Sequence, residues 1–107
     1  MRESKIEGNT KLYAKRNGIE WIKLNGQGNR GKPDNLFFMP DRVFFIEFKA
    51  PGEDLEPLQK WWKKKLENKG FKVYVVDSKE KGRQVIDHEA EKYKKRSGKT
   101  VSKASKT

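Results

Sequence analysis

One stretch of this chain gathers residue types that can do hydrolytic chemistry: Gly31-Lys-Pro-Asp34, two aromatic segments, then Glu47-Phe-Lys49-Ala-Pro. In a strand, alternation puts Val43, Phe45, Glu47 and Lys49 on one face and Phe44, Ile46 and Phe48 on the other. A carboxylate and an ammonium therefore project together from the end of a strand that is otherwise apolar. Pro40-Asp41 reads as a tight turn between strands at Asn35–Met39 and Arg42–Phe48. With Met39 facing Arg42, the antiparallel register carries Asp34 opposite Glu47, their Cβ atoms roughly 5 Å apart. Carboxylates that close repel each other unless a cation lies between them or one takes a proton. Oxygen ligands without His or Cys suit Mg²⁺ or Mn²⁺. Such an ion neutralises a phosphate and lowers the pKa of a bound water, the equipment for phosphodiester hydrolysis. Lys49 would then orient the attacking water or stabilise charge on the phosphorus. A Glu47–Lys49 salt bridge, with Asp34 serving the turn, uses the same residues. Their place at the end of a buried strand, opposite Pro33-Asp34, favours the metal site.

The elements that must position these groups follow from periodicity and punctuation. A first helix runs from Glu3 to about Asn17, with Ile6, Thr10, Tyr13 and Ala14 on one stripe and Gly18 past its end. Glu20–Leu24 is a short strand, and Asn25–Pro33 a glycine-rich loop. Pro57 opens a helix to about Asn68, with Leu55, Leu58, Trp62 and Leu66 expected inward. Gly70 ends it, Phe71–Val76 is a strand, and Ser78 caps a last helix extending to about Lys95. The order αβββαβα describes an α/β domain, a small mixed sheet flanked by helices. Gly26-Gln-Gly28-Asn-Arg-Gly31 matches a dinucleotide-binding pattern, but that pattern must open a helix, and here a proline and an aromatic strand follow.

Composition limits the partners. The 107 residues carry 26 Lys and Arg against 15 Asp and Glu, a formal charge of +11, which points to a polyanion. The strictly apolar residues are 33 % of the chain and the aromatics 11 %, so a core depends on the aromatic segments sitting together. No apolar run exceeds the four residues of Val43–Ile46, which excludes a membrane-spanning helix. No apolar stretch follows Met1, so a secretory signal is not expected and a cytoplasmic location is. The absence of cysteine excludes disulfides, zinc fingers and thiol nucleophiles. From Lys92 to Thr107 there are seven cations and no acid. We therefore expect a domain over residues 1–91 and a basic, disordered tail over 92–107. That tail reads as an arm that follows a phosphate backbone, or simply as a solvated terminus. The expected nucleic-acid contacts are Arg30 and Lys32 of the loop, Lys60, Lys63 and Lys64 of the second helix, and Lys94, Lys95 and Arg96 of the tail.

The combined motif resembles a known family. Pro33-Asp34, a spacer and Glu47-x-Lys49 are similar to the PD-(D/E)XK nuclease motif, and αβββαβ matches the core of that restriction-endonuclease-like superfamily. G-x-P-D, E-F-K-A-P, Pro57-Leu-Gln59-x-x-Trp62 and Gly70-Phe-x-Val resemble its VRR-Nuc branch over about Glu3 to Val76. The resemblance implies a small stand-alone protein of phage or bacterial type, a Mg²⁺- or Mn²⁺-dependent endonuclease resolving four-way DNA junctions as a homodimer. It assigns Asp34, Glu47 and the main-chain carbonyl of Phe48 to the metal, and Lys49 to catalysis. Glu7 matches the first-helix glutamate that approaches the metal directly or through water; it borders the Ile6–Thr10–Ala14 stripe, so the pattern also fits a surface glutamate. Gln59 matches a second-helix glutamine that hydrogen-bonds near the site, and an ordinary surface glutamine fits as well.

Other assignments compete. A basic nucleic-acid-binding module without catalysis fits the charge but leaves Asp34 facing Glu47 unexplained, and a nuclease of the same fold could act on flaps or unbranched DNA. His88, the only histidine, lies among Asp87, Glu89 and Glu91 with no activated serine nearby, and reads as a surface residue. Tyr74 and Trp21 read as packing residues, and Trp61, off the inward stripe, as a dimer or DNA contact.

Overall fold

The computed structural model describes every residue except 25–27, 29 and 102–107. The elements are α1 (Glu3–Arg16), β1 (Glu20–Lys23), β2 (Asn35–Met39), β3 (Arg42–Phe48), α2 (Pro57–Asn68), β4 (Lys72–Val76) and α3 (Lys79–Ser97). The four strands form one sheet in sequence order. β1, β2 and β3 are a meander, and β4 joins β3 in parallel after the α2 crossover. Met39 pairs with Arg42 and Asn35 with Ile46, the register expected from the Pro40-Asp41 turn.

Alternation along β3 sorts its side chains. Phe44, Ile46 and Phe48 are buried, whereas Val43, Phe45 and Glu47 are half-buried. The buried face meets Ile6 and Ala14 of α1 and Val85 and Ile86 of α3, with Phe37 and Phe44 stacked 5.3 Å apart at its centre. At the crossing of α1 and α3 a Cβ on Gly82 would lie 1.9 Å from Thr10 Oγ1, so only glycine lets the helices approach this closely. Trp21 and Tyr74 pack against this core, as expected, and His88 is exposed.

Two expectations need correction. The boundary at residue 91 falls inside α3, which Ser78 caps and which continues to Ser97, where Gly98 turns the chain at φ 74°. Tyr93 and Val101 still pack against the core, and Arg96 bonds Asp41 of the β2–β3 turn at 2.5 Å, so Lys92–Ser97 belong to the folded unit. Lys103 and Lys106 lie outside the described residues, as do Asn25, Gly26, Gln27 and Asn29 of the glycine loop. That loop leads into β2 and not into a helix. The second correction concerns α2: Leu58 is 41 % exposed, and the half-buried stripe is Leu55, Gln59, Trp62 and Leu66. Gln59 takes the inward place because a carboxylate waits there for a donor.

Glu89, which the sequence marked only as a neighbour of His88, is fully buried. Arg42 and the Tyr74 hydroxyl both donate to its carboxylate, and Arg42 also reaches Asp41 at 2.7 Å. Burial alone would raise the Glu89 carboxyl, but the bonds from Tyr74 and Arg42 outweigh it and hold it below its ordinary range. The Tyr74 hydroxyl is pushed well up by burial and by its bond to that carboxylate. This network pins α3 to the hairpin whose far end carries the candidate site.

Candidate functional site

The site lies where β2 begins and β3 ends. Continuing the register one residue past the Asn35–Ile46 pair sets Asp34 opposite Glu47. The main chain holds both strand ends: Leu24 N–H donates to Asp34 O at 2.8 Å, and Lys49 N–H to Val76 O at 2.9 Å. Glu47 is half-buried, and its carboxyl is pushed up to about 7 by burial and by the Asp34 charge, with Glu3 adding to the rise and Lys49 opposing it. Two carboxylates and one ammonium thus share a partly desolvated corner, as the alternation requires.

Neighbouring elements orient these groups. Asn35, almost fully buried, donates Nδ2 to Asp34 Oδ1 at 2.9 Å, while its own Oδ1 has no hydrogen-bond partner among the described residues. Gln59 is fixed by a capping box: Glu56 N–H donates to Gln59 Oε1 at 2.8 Å, leaving Gln59 Nε2 to donate to Glu47 Oε2 at 3.2 Å. Pro57 at the start of α2 sets the direction of this turn. The Glu56–Gln59 spacing was a visible capping signal, whereas no local pattern marked Asn35.

From α1 the structure brings two glutamates to this end, and the sequence had named only one. Glu7 accepts from Lys11 Nζ at 2.7 Å and Lys23 Nζ at 3.2 Å. Burial would raise its carboxyl, but these ammonium groups hold it below the ordinary range. Glu3 lies one helical turn earlier and is raised by burial, with Glu7, Glu53 and Asp34 adding to the rise and Lys49 opposing it. Glu3 therefore stands in the field of Asp34, Glu47 and Lys49, while Glu7 is occupied by its lysines. Their spacing of four residues, one turn on a helix face, was the signal that could have paired them.

Asp34 and Glu47, with the Phe48 carbonyl that the family resemblance adds, would offer only oxygen donors, which by their chemistry fit a hard divalent cation. The upward shift of Glu47 comes first from burial and then from the Asp34 charge, and a cation between the two carboxylates would oppose both. Among the described residues no three acidic, histidine or cysteine side chains form a ready metal cluster, so water would have to complete the coordination.

The cations expected to meet nucleic acid fall into two groups. Arg30 lines a cleft of about 420 Å³ with Gly31, Glu56, Pro57, Leu58 and Gln59, and Lys32 Nζ sits 4.8 Å from the Trp62 ring centre. On α2, Lys60 pairs with Asp54 and Lys63 with Glu67, and Lys64 is exposed. Lys94, Lys95 and Arg96 lie on the last turn of α3, with Arg96 bound to Asp41. Asp41 precedes β3, which separates it from Glu47 by roughly 20 Å of extended chain.

Comparison with known proteins agrees with this architecture. The VRR-NUC domain family matches residues 4–80. A protein named "Putative nuclease p44", from Acyrthosiphon pisum secondary endosymbiont phage 1, is 35 % identical over 79 residues, 73 % of this chain and 85 % of its own. A solved structure described as a VRR_NUC domain superposes with a TM-score of 0.72 at 26 % identity, covering 80 % of this chain and 95 % of that one. The fold, the Asp34/Glu47-x-Lys49 corner and these matches agree: the chain belongs to the VRR-NUC domain family.

Proposed function

We propose that this VRR-NUC protein is a Mg²⁺- or Mn²⁺-dependent DNA endonuclease that acts as a homodimer on branched DNA, four-way junctions foremost. The observation that carries the reading is Glu47: a carboxyl raised to about 7 beside Asp34 and Lys49, and held in place by Gln59. The phage relative named as a nuclease supports it, and the charge of +11 suits a DNA substrate.

Asp34, Glu47 and the Phe48 carbonyl would hold the ion, which supplies charge neutralisation at the phosphate and a more acidic water. Lys49 places an ammonium beside the pair, where negative charge grows on the phosphoryl oxygens as the water's P–O bond forms and the ester P–O bond breaks. Asn35 fixes the rotation of Asp34, and Gln59 that of Glu47. Glu3, or Glu7 through water, completes the acidic rim. The homodimer is supported by the outer face of the sheet, where Ile22 on the edge strand β1 and Phe38 on β2 are 45 % and 37 % exposed.

The test is cleavage of end-labelled four-way junction, flap and linear duplex with Mg²⁺, Mn²⁺ or EDTA, beside sedimentation of the free protein. Metal-dependent paired nicks on the junction by a dimer are expected. Equal cutting of all three DNAs would remove the junction from the reading. Binding without cutting in any metal would leave a non-catalytic module.

A further inference from the structure

α2 carries more apolar surface than the sheet covers. Its half-buried stripe is Leu55, Gln59, Trp62 and Leu66, yet Leu58 and Trp61 are 41 % and 53 % exposed. Together with Pro57 they line an open apolar depression of about 470 Å³. Pro57 and Leu58 also line the cleft that contains Arg30 and Gln59, so the depression adjoins that cleft, whose Gln59 bonds Glu47 of the acidic corner. Trp61 is held in place: its ring meets Trp62 edge-to-face at 5.0 Å, and Lys65 Nζ lies 4.7 Å from its centre. Gly31, at φ 77°, lets the loop lie against Leu58, since a Cβ there would come within 2.4 Å of Leu58 Cγ.

The surroundings choose the occupant. Arg30, Lys32, Lys64 and Lys65 make no ion pair among the described residues, and the two lysines that touch rings do so as cation–π partners. A flat aromatic surface ringed by unpaired cations suits a group that is itself flat and apolar and is attached to an anion. A nucleobase on its phosphate backbone has that chemistry. A second copy docked with this same face would instead set Arg30, Lys32, Lys64 and Lys65 against their own counterparts.

We propose that Trp61, backed by Leu58 and Pro57, is a stacking platform for an unpaired nucleobase next to the phosphate at the acidic corner. This rests on the nuclease reading and deepens it: a base within continuous duplex already stacks on its neighbours, so the platform rewards DNA in which a base is free. Selection for branched or distorted DNA then arises partly from this tryptophan, not from sequence readout.

The experiment measures fluorescence anisotropy in EDTA with the full chain, Trp61→Ala and Trp61→Phe. The probes are a duplex with one bulged 2-aminopurine and a continuous duplex of equal length. Wild-type binding should quench the 2-aminopurine. Trp61→Ala should weaken binding to the bulged DNA by about 5- to 100-fold and to the duplex by less than about 2-fold. Trp61→Phe should retain most of the preference. Equal loss on both DNAs, or no loss on either, overturns the proposal. So does conversion of Trp61→Ala to monomer at concentrations where the wild type is dimeric, which would make this face a self-interface. Wild-type cleavage of the four-way junction in Mg²⁺ is read separately: its absence removes the nuclease reading, whereas the anisotropy result decides the platform.

Discussion

Glu47→Gln removes a charge that the fold holds at a cost. In the folded state the Glu47 carboxyl sits at about 7 against an ordinary 4.5, raised first by burial and then by Asp34. Each unit corresponds to about 1.36 kcal/mol, so the full shift is about 3 kcal/mol, which solvent at this half-buried position screens to ~1–2 kcal/mol. Because the folded state binds this proton more tightly than the unfolded chain, protonated Glu47 stabilises the fold. That contribution is complete below about 4.5 and is lost as the pH rises through about 7. Near pH 8 in EDTA the wild type therefore carries the whole cost, and Glu47→Gln should be more stable by ~1–2 kcal/mol, or roughly 5–15 °C in Tm for a domain of this size. Toward pH 5 the gap should close. Millimolar Mg²⁺ should narrow it near pH 8, because only the wild type recovers stability by binding the ion. Thermal unfolding followed by circular dichroism at both pH values reads all three effects. A variant no more stable than wild type near pH 8, or a gap that does not change with pH, would refute this electrostatic account of the site.

Other outcomes follow from the same geometry. Lys49→Ala should slow cleavage on the order of 100- to 1000-fold while junction binding persists, as measured by gel assay and anisotropy. Gln59→Ala, which releases Glu47 without removing it, should cost about 10- to 100-fold in metal affinity or rate, read by Mn²⁺ titration and single-turnover cleavage. At subsaturating Mg²⁺ the cleavage rate should fall as the pH drops below about 7, since the proton on Glu47 competes with the ion, and excess metal should move that midpoint down. Gly82→Ala should destabilise the fold by ~1–3 kcal/mol in urea unfolding despite the better helix propensity of alanine, because its Cβ has no room beside Thr10. Glu89→Ala, which removes the buried acceptor of both Arg42 and Tyr74 and leaves Arg42 only Asp41, should cost about 3 kcal/mol in the same assay.

The corner of the site was legible because it rests on local rules. A two-residue turn fixes the register of β2 on β3, and alternation then decides which face Glu47 and Lys49 share. What failed was whatever needed a partner distant in sequence. The face of α2 was misjudged because periodicity counts apolar residues, and Leu58 is apolar; only the waiting Glu47 explains why Gln59 points inward and Leu58 does not. Nothing near Glu89 in sequence marked it for burial, because its partner Arg42 lies 47 residues away. The end of the folded unit was placed too early because basic residues imply solvation, while Lys and Arg are also good helix formers and Tyr93 anchors that turn to the core. Glu3 went unnamed because its role depends on where the first turn of α1 meets the ends of two strands.

The most direct test of the central claim is cleavage of a labelled four-way junction by the wild type, Asp34→Asn and Glu47→Gln, each in Mg²⁺ and in EDTA. The account predicts paired nicks by the wild type in Mg²⁺ alone, and none by either variant although both still bind the junction. Cutting that persists in EDTA, or at the wild-type rate in either variant, would contradict it.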